Sequence, residues 1–109
     1  MALEKKTEEI MESVETIKLK NPITYNGEEY TELTFDFDAL TGADSLAIED
    51  ELMSLGKSAI VPALSSEYLI RFAAKACKEP IGSDIFLSMS VRDYQRVRNA
   101  AKNFLLNLE

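Results

Sequence analysis

The sequence predicts an α+β fold in which an N-terminal bulged antiparallel β-hairpin packs on three main α-helices. An Asn-Gly turn at residues 26–27 joins two β-rich runs, which is a strong hairpin signal. The remaining chain has three segments with apolar residues at helical spacing, each preceded by a capping side chain. We expect a flexible arm or frayed helix over 1–15 and a single domain over 16–107. Leu108-Glu109 is typical of a cloning remnant.

Apolar side chains change face halfway along the predicted hairpin, which covers residues 16–37. The two-residue turn implies one register, and in that register the apolar residues of the two strands point to opposite faces. One extra residue at Thr31 or Glu32 shifts the register and returns these apolar residues to a common face. We expect this bulge opposite Pro22, because proline lacks the N–H that a ladder bond needs. The residues of that face are Ile17, Leu19, Leu33, Phe35 and Phe37.

The predicted bulge also separates the base of the hairpin from its tip. The shifted register pairs Phe35 with Leu19. Ile23 and Tyr30 lie beyond the bulge with the turn, and we expect this bent tip to project with few packing contacts. A two-stranded hairpin is marginally stable in water. We therefore expect either helix cover on one face or a neighbouring chain at its edge.

The first helix is predicted at about 43–55. Thr41 and Asp44 have the spacing of a capping box, and Gly56 supplies a left-handed stop. Apolar residues recur at i, i+4 and i+7, and the other face is acidic. The apolar residues are Ile48, Leu52 and Leu55, and the acidic residues are Glu49, Asp50 and Glu51.

Two further helices are predicted at about 66–78 and 91–107, with residues 81–89 as a loop or short helix between them. The capping residues are Ser65 or Ser66 for the first and Ser90, with Asp93 three residues on, for the second. The buried stripes are Leu69, Phe72, Ala73 and Ala76 in the first, and Val91, Tyr94, Val97, Ala101, Phe104 and Leu105 in the second.

Charge divides the chain into an acidic part and a mildly basic part. The net charge is -7; residues 21–56 hold nine acidic and no basic side chains, whereas residues 57–109 hold eight basic and five acidic ones. Either the two parts face each other or are simply solvated, or an acidic face meets a basic face on a neighbouring molecule. Nucleic acid is a poor partner, because the basic residues are too dispersed for a phosphate track.

Residue types that usually carry catalysis or bind cofactors are scarce. The chain has no histidine, which excludes Ser-His and Cys-His nucleophiles, and its single cysteine cannot form a zinc thiolate site. Residues 36–44 begin like a calcium loop but lack its later ligands. No stretch is apolar enough for a membrane span or a secretory signal. We expect no enzyme, no cofactor, no metal and no membrane, but a protein that binds other proteins.

Three short motifs follow one another along the chain. They are G-x-x-Y-x-E-L in the hairpin (Gly27, Tyr30, Glu32, Leu33), the acidic helix opening Gly42-Ala43-Asp44, and S-x-x-D-Y before the last helix (Ser90, Asp93, Tyr94). In their order across residues 16–106, the chain resembles the tail assembly chaperones of long-tailed phages and prophages of the Mu-like and P2-like group.

This resemblance implies a protein that binds the tape measure protein and keeps it soluble before the tail tube polymerises. It implies action in the cytoplasm of the bacterial host, absence from the mature virion, and contact with the tail tube protein through a frameshift-extended form. We also expect a homo-oligomer. The alternatives are another small phage adaptor, such as a head–tail connector component or a regulator of a host protein, and an enzyme with a carboxylate-only site.

A partner or self-association surface is expected on apolar side chains outside the predicted stripes. Methionine and aromatic side chains adapt to irregular partners. The alternative is that all of these side chains complete a small core. The candidates are Leu46 and Met53 on the first helix, Ile81, Ile85, Phe86 and Met89 before the last helix, and Ile23 and Tyr30 at the hairpin tip.

Overall fold

The computed structural model describes residues 14–57 and 60–106. Strands β1 (Val14–Tyr25) and β2 (Glu28–Asp36) are followed by a 3-10 turn (Phe37–Ala39), helix α1 (Gly42–Ser54), a second 3-10 turn (Pro62–Leu64), and helices α2 (Ser66–Ala76), α3 (Asp84–Leu87) and α4 (Val91–Leu106). The predicted α+β fold, a hairpin with three main helices, is confirmed. The predicted arm lies outside the described residues except for its last two, which belong to β1, and Leu108-Glu109 also lies outside.

The hairpin turn has the predicted two-residue form. Tyr25 pairs with Glu28, and Asn26 and Gly27 both have positive φ, at 52° and 81°. A type I′ turn requires positive φ at both central residues, and its twist matches that of the flanking strands. The Asn-Gly dipeptide therefore defines where the chain reverses.

A β-bulge interrupts the hairpin between two paired stretches. Ile23 pairs with Tyr30 on the turn side, and the next pair is Lys18 with Glu32, so four residues of β1 stand opposite one residue of β2. The bulge therefore lies on β1 and includes Pro22, whose missing N–H cannot join a ladder bond.

The sequence predicts this bulge but places it on the wrong strand. The expectation of an extra residue at Thr31 or Glu32, with Phe35 opposite Leu19, is incorrect, because Phe35 pairs with Glu15. The alternation of apolar side chains does not show which strand carries the bulge, because an odd number of extra residues on either strand returns the apolar residues to one face. The face itself is as predicted, and all of its members are buried: Ile17, Leu19, Leu33, Phe35 and Phe37.

Aromatic rings connect this face of the hairpin to the helices. The ring centroid of Phe37 lies 5.8 Å from that of Phe35, 5.6 Å from that of Phe72 on α2 and 5.4 Å from that of Phe104 on α4. Each such pair contributes about 0.5–1.5 kcal/mol beyond its area burial. Phe37 thus lies where the hairpin, α2 and α4 meet.

The helix ends follow the predicted capping signals. The Thr41 N–H donates to Asp44 Oδ2 at 2.9 Å and the Asp44 N–H donates to Thr41 Oγ1 at 3.4 Å, which completes the capping box of α1. Gly56 follows α1 with φ of 73°. Ser65 caps α2 by accepting from the Tyr68 N–H at 3.2 Å. Within the described ranges, no helix is long and apolar enough to cross a bilayer.

Two residues of the predicted buried stripes are exposed instead. Leu55 is 54% exposed and Val91 is 73% exposed. Leu55 falls just beyond the last residue of α1, and Val91 is the first residue of α4. Helical periodicity predicts burial for both residues, but it does not show where the end of a helix no longer packs on the core.

Candidate interaction surface

The Asp93 carboxylate accepts hydrogen bonds from two backbone N–H groups in the bulged part of β1. Asp93 is fully buried at the start of α4; its Oδ1 accepts from the Lys20 N–H at 3.1 Å and its Oδ2 accepts from the Asn21 N–H at 3.0 Å. Arg96, one turn later, donates to the Lys18 carbonyl oxygen. Unpaired backbone groups at a strand edge can pair with another chain. Here they form hydrogen bonds with Asp93 and Arg96 of α4 instead.

The charged form of Asp93 is stabilised by the same contacts. Burial by itself raises the pKa of the Asp93 carboxyl, but the two backbone N–H donors, the Ser90 hydroxyl and the nearby Arg96 together hold this pKa below its ordinary value. Asp93 therefore serves as a charged acceptor that ties α4 to the hairpin.

The outer edge of β2 is covered by the segment that follows α2. The Lys78 N–H donates to the Thr34 carbonyl oxygen at 2.8 Å, and the Thr34 N–H donates to Glu79 Oε1 at 2.8 Å. Phe35 and Cys77 form an isolated antiparallel bridge. The chain thus supplies hydrogen-bond partners at part of the edge of each strand. The helix cover that was the first of the two expected ways to stabilise the hairpin comes from the packing of Phe37 on α2 and α4.

Cys77 lies beneath this edge and is half-buried. Burial raises the pKa of its thiol to about 12, helped by the hydrogen bond that the thiol donates to Glu79 Oε1 at 3.3 Å. A thiol with so high a pKa contains almost no nucleophilic thiolate at neutral pH. Among the described residues, no group of three or more Asp, Glu or Cys side chains is arranged to hold a metal ion.

The structure divides the predicted surface residues into three groups by exposure. Leu46 and Met53 are exposed, at 59% and 71%. Ile85 and Tyr30 are half-buried against the core. The buried residues are Ile23, Ile81, Phe86 and Met89.

Three of the four candidates in residues 81–89 are buried, as in the alternative in which they complete the core. Phe86 has no exposed surface, and its ring centroid lies 6.4 Å from that of Phe35. Ile81 and Met89 are each only 9% exposed. Phe86 lies on the short helix α3, whereas Ile81 comes before this helix and Met89 after it. The sequence does not reveal their burial, because one helical turn shows no periodicity.

The hairpin tip also packs on the fold instead of projecting. Ile23 is buried, and Tyr25 and Tyr30 pack partly against the core. A Cβ added to Gly82 would lie 3.7 Å from the Tyr25 hydroxyl, so the loop before α3 lies beside the tip. The prediction misses this contact because it joins residues far apart in the chain.

An apolar groove lies between α3 and α4. It has a volume of about 240 Å³ and a mostly apolar lining: Phe86, Leu87, Met89, Val91 and Tyr94. Leu87 and Val91 are 71% and 73% exposed, whereas Phe86 and Met89 form the buried floor. We call this the α3–α4 groove. Of the predicted residues, Phe86 and Met89 lie beneath the groove, Phe86 without any exposed surface, and exposed Leu87 and Val91 were not among the candidates.

A second exposed surface lies on α1. One ion pair joins this helix to α2: Glu51 Oε2 of α1 lies 2.5 Å from Arg71 Nε, and Arg71 is also paired within α2 to Glu67. The Ser45 and Tyr68 hydroxyls also share a hydrogen bond of 2.5 Å. On the opposite side is the α1 outer face, whose exposed residues are Ala43, Leu46, Ala47, Asp50, Met53 and Ser54.

Comparison with known proteins identifies a family for this framework. Residues 16–106 match the family model described as phage tail assembly chaperone proteins, E, or 41 or 14. The match covers most of the chain, from the base of the hairpin to the end of α4. No significant match is found among curated proteins or among solved structures.

Proposed function

The chain belongs to the phage tail assembly chaperone family, and from this we propose that it binds the tape measure protein and keeps it soluble before the tail tube polymerises. The action is binding without catalysis. It takes place in the cytoplasm of the bacterial host, and the chaperone leaves before the virion is complete.

The α3–α4 groove is the observation that carries this proposal. Leu87 and Val91 expose two large apolar side chains to water, and they line the same groove as buried Phe86 and Met89. Amphipathic helices bind proteins by laying apolar side chains into such grooves. A tape measure protein is a long helix rich in apolar residues, so the groove matches the chemistry of that partner.

The net charge of the chain supports the same role. At -7, copies bound along one helix would repel other coated helices and so oppose clumping. This effect needs no enzyme site. A frameshift-extended form that contacts the tail tube protein is part of the proposal and requires its own test in the intact gene.

Co-expression with the tape measure protein of the same phage or prophage tests the proposal. We expect the wild-type chain to move the tape measure protein into the soluble fraction and to co-purify with it. Leu87→Asp/Val91→Asp should lower the recovered tape measure protein by about tenfold or more, since central apolar contacts dominate binding. Ile60→Asp is the matched control, because Ile60 is 92% exposed and lies outside the groove.

Two outcomes separate the function from the site. If the wild-type chain leaves the tape measure protein insoluble and unbound, the proposed function is wrong. If the double variant remains folded by circular dichroism and still binds as well as Ile60→Asp, the groove is not the binding site.

A further inference from the structure

The α1 outer face makes α1 apolar on two sides. Ile48 and Leu52 are buried against the core at 1% exposure each, whereas Leu46 and Met53 lie on the opposite side at 59% and 71%. A surface helix ordinarily has one apolar side and one polar side. Ala43, Ala47 and Ser54 complete the outer face with short side chains, so another helix can approach closely.

The charged side chains that α1 itself places on or beside this face are all carboxylates. Asp50 lies between Leu46 and Met53, and Glu49 borders the face; neither has a salt-bridge partner among the described residues. No Lys or Arg occurs anywhere in residues 21–56. A protein that docks here must therefore combine apolar contact with positive charge.

Pairing of two α1 outer faces is disfavoured by this charge. Two copies related by a two-fold axis would present the same patch to each other, which brings Asp50 and Glu49 of each copy close to those of the other. Like charges that meet across an interface weaken it. The complementary surface has to be a different one.

The outward side of α4 has the required properties. Its residues are Arg92, Gln95, Asn99, Lys102, Asn103 and Leu106, which we call the α4 outer face. Its charged members are both basic, and neither Arg92 nor Lys102 forms a salt bridge within the described part of the chain. Leu106 is 53% exposed.

A shallow groove beside the α4 outer face offers room for apolar side chains. It lies between α4 and the start of β1, has a volume of about 440 Å³, and includes Asn99 and Asn103 in its lining. Buried Ile17 and Ala100 also line it, and its charged lining residues are Arg96 and Glu15. Met53 or Leu46 of an approaching helix could fill this space. The two helices also match in length, at about 20 Å for α1 and about 24 Å for α4.

We propose that the α1 outer face of one copy docks on the α4 outer face of a second copy. The contact is head-to-tail, since each molecule uses two different surfaces. Such a contact leaves one α1 outer face and one α4 outer face unoccupied at the ends, so it produces open chains or a ring. The acidic and basic parts of the sequence then meet between molecules.

Sedimentation analysis over a range of protein concentrations tests this. The average mass of the wild-type chain should rise with concentration, and it should rise less in about 0.5 M NaCl than in about 0.05 M NaCl because salt screens exposed charges. Asp50→Arg/Met53→Arg should block the α1 outer face, and Arg92→Glu/Lys102→Glu should block the α4 outer face. Each double variant alone should associate at least about tenfold more weakly than the wild-type chain.

Mixing the two variants gives the sharpest result. Each retains one intact face, so an equimolar mixture should form a one-to-one heterodimer and nothing larger. Glu28→Arg/Glu29→Arg is the matched control, since it makes a similar charge change at the exposed hairpin turn and should associate like the wild-type chain. Circular dichroism establishes that each variant is folded.

The proposal is overturned if the wild-type chain stays monomeric at all concentrations, which would leave the α1 outer face to a different protein. It is also overturned if either double variant alone associates as the wild-type chain does, or if the mixture of folded variants stays monomeric. None of these results depends on the tape measure protein, so the proposed function is tested separately.

Discussion

The carboxylate of Asp93 accepts a hydrogen bond from the Asn21 N–H at 3.0 Å, which joins the first turn of α4 to the bulge in β1. The same carboxylate accepts from the Lys20 N–H at 3.1 Å. The bulge at Pro22 interrupts the hydrogen bonds between the strands. The Lys20 and Asn21 N–H groups donate to Asp93 instead. The bulge and the last helix therefore form one structural unit.

Removal of this carboxylate should destabilise the whole fold. Asp93→Ala leaves the Lys20 and Asn21 N–H groups without acceptors, and we expect a loss of about 2–4 kcal/mol in the free energy of unfolding. Urea unfolding measures this change. Asp50→Ala is the control, since Asp50 is exposed, and it should change stability by less than about 0.5 kcal/mol. Equal effects of the two substitutions would contradict the role given to Asp93.

The contribution of Asp93 should depend on pH. Its folded-state pKa lies below the ordinary value, so the unfolded chain takes up a proton more readily than the folded chain does. The stabilisation is therefore present above the unfolded pKa, about 3.9, and is lost as the pH falls through the folded pKa. Urea unfolding of the wild-type chain and Asp93→Asn between about pH 2 and pH 6 should give curves that converge in acid. A constant difference across this range would refute the prediction.

Truncation of the adjacent residues Phe86 and Leu87 should change the free energy of unfolding by very different amounts. Phe86 has no exposed surface and Leu87 is 71% exposed. Phe86→Ala should cost about 3–5 kcal/mol through the cavity it leaves, whereas Leu87→Ala should stay within about 0.5 kcal/mol of the wild-type chain. Thermal and urea unfolding measure both. A small effect of Phe86→Ala would restore this side chain as a surface candidate.

Two glycines should respond differently to alanine. Gly27 has φ of 81°, where a Cβ is strained, although within the described part of the chain nothing beyond Gly27 and its two sequence neighbours lies within 4 Å of the Cβ position. Gly27→Ala should destabilise the protein by about 1 kcal/mol or more. Gly42 opens α1 with a negative φ and equally open space, so Gly42→Ala should stabilise it by about 0.4–1 kcal/mol. Comparison of their urea midpoints checks both signs in one experiment.

The thiol of Cys77 should react slowly with an alkylating reagent. Its pKa of about 12 leaves about a thousandth of the thiolate of an ordinary cysteine at pH 8. Mass spectrometry after iodoacetamide treatment of the native and urea-unfolded chain gives the two rates. The prediction fails if the native thiol reacts as fast as the unfolded one.

Local sequence signals were sufficient for most of the secondary structure. The Asn26-Gly27 turn, the capping box of Thr41 and Asp44, and the Ser65 cap all lie where their residue types predict. Each is a contact between residues within a few positions of one another, so residue type and spacing describe it fully. The apolar face of the hairpin also followed from local alternation, because side chains in a strand alternate between two faces.

The candidate surface was only partly predictable, because exposure depends on which elements pack over a residue. Leu46 and Met53 are exposed as the helical period of α1 indicates. Phe86 and Ile23 are buried because α3 and the hairpin tip fold onto the core. No local pattern contains those long-range contacts.

The order of strands and helices, their caps and the presence of a bulge thus followed from residue chemistry alone. Tertiary packing decided which strand carries the bulge, that Asp93 closes it, and that Leu87 and Val91 rather than Phe86 face water. The physical reason is that a hydrogen bond such as that from Asn21 to Asp93 joins residues 72 positions apart. Such a contact exists only after the chain has folded, and its formation then determines which surfaces remain available for binding.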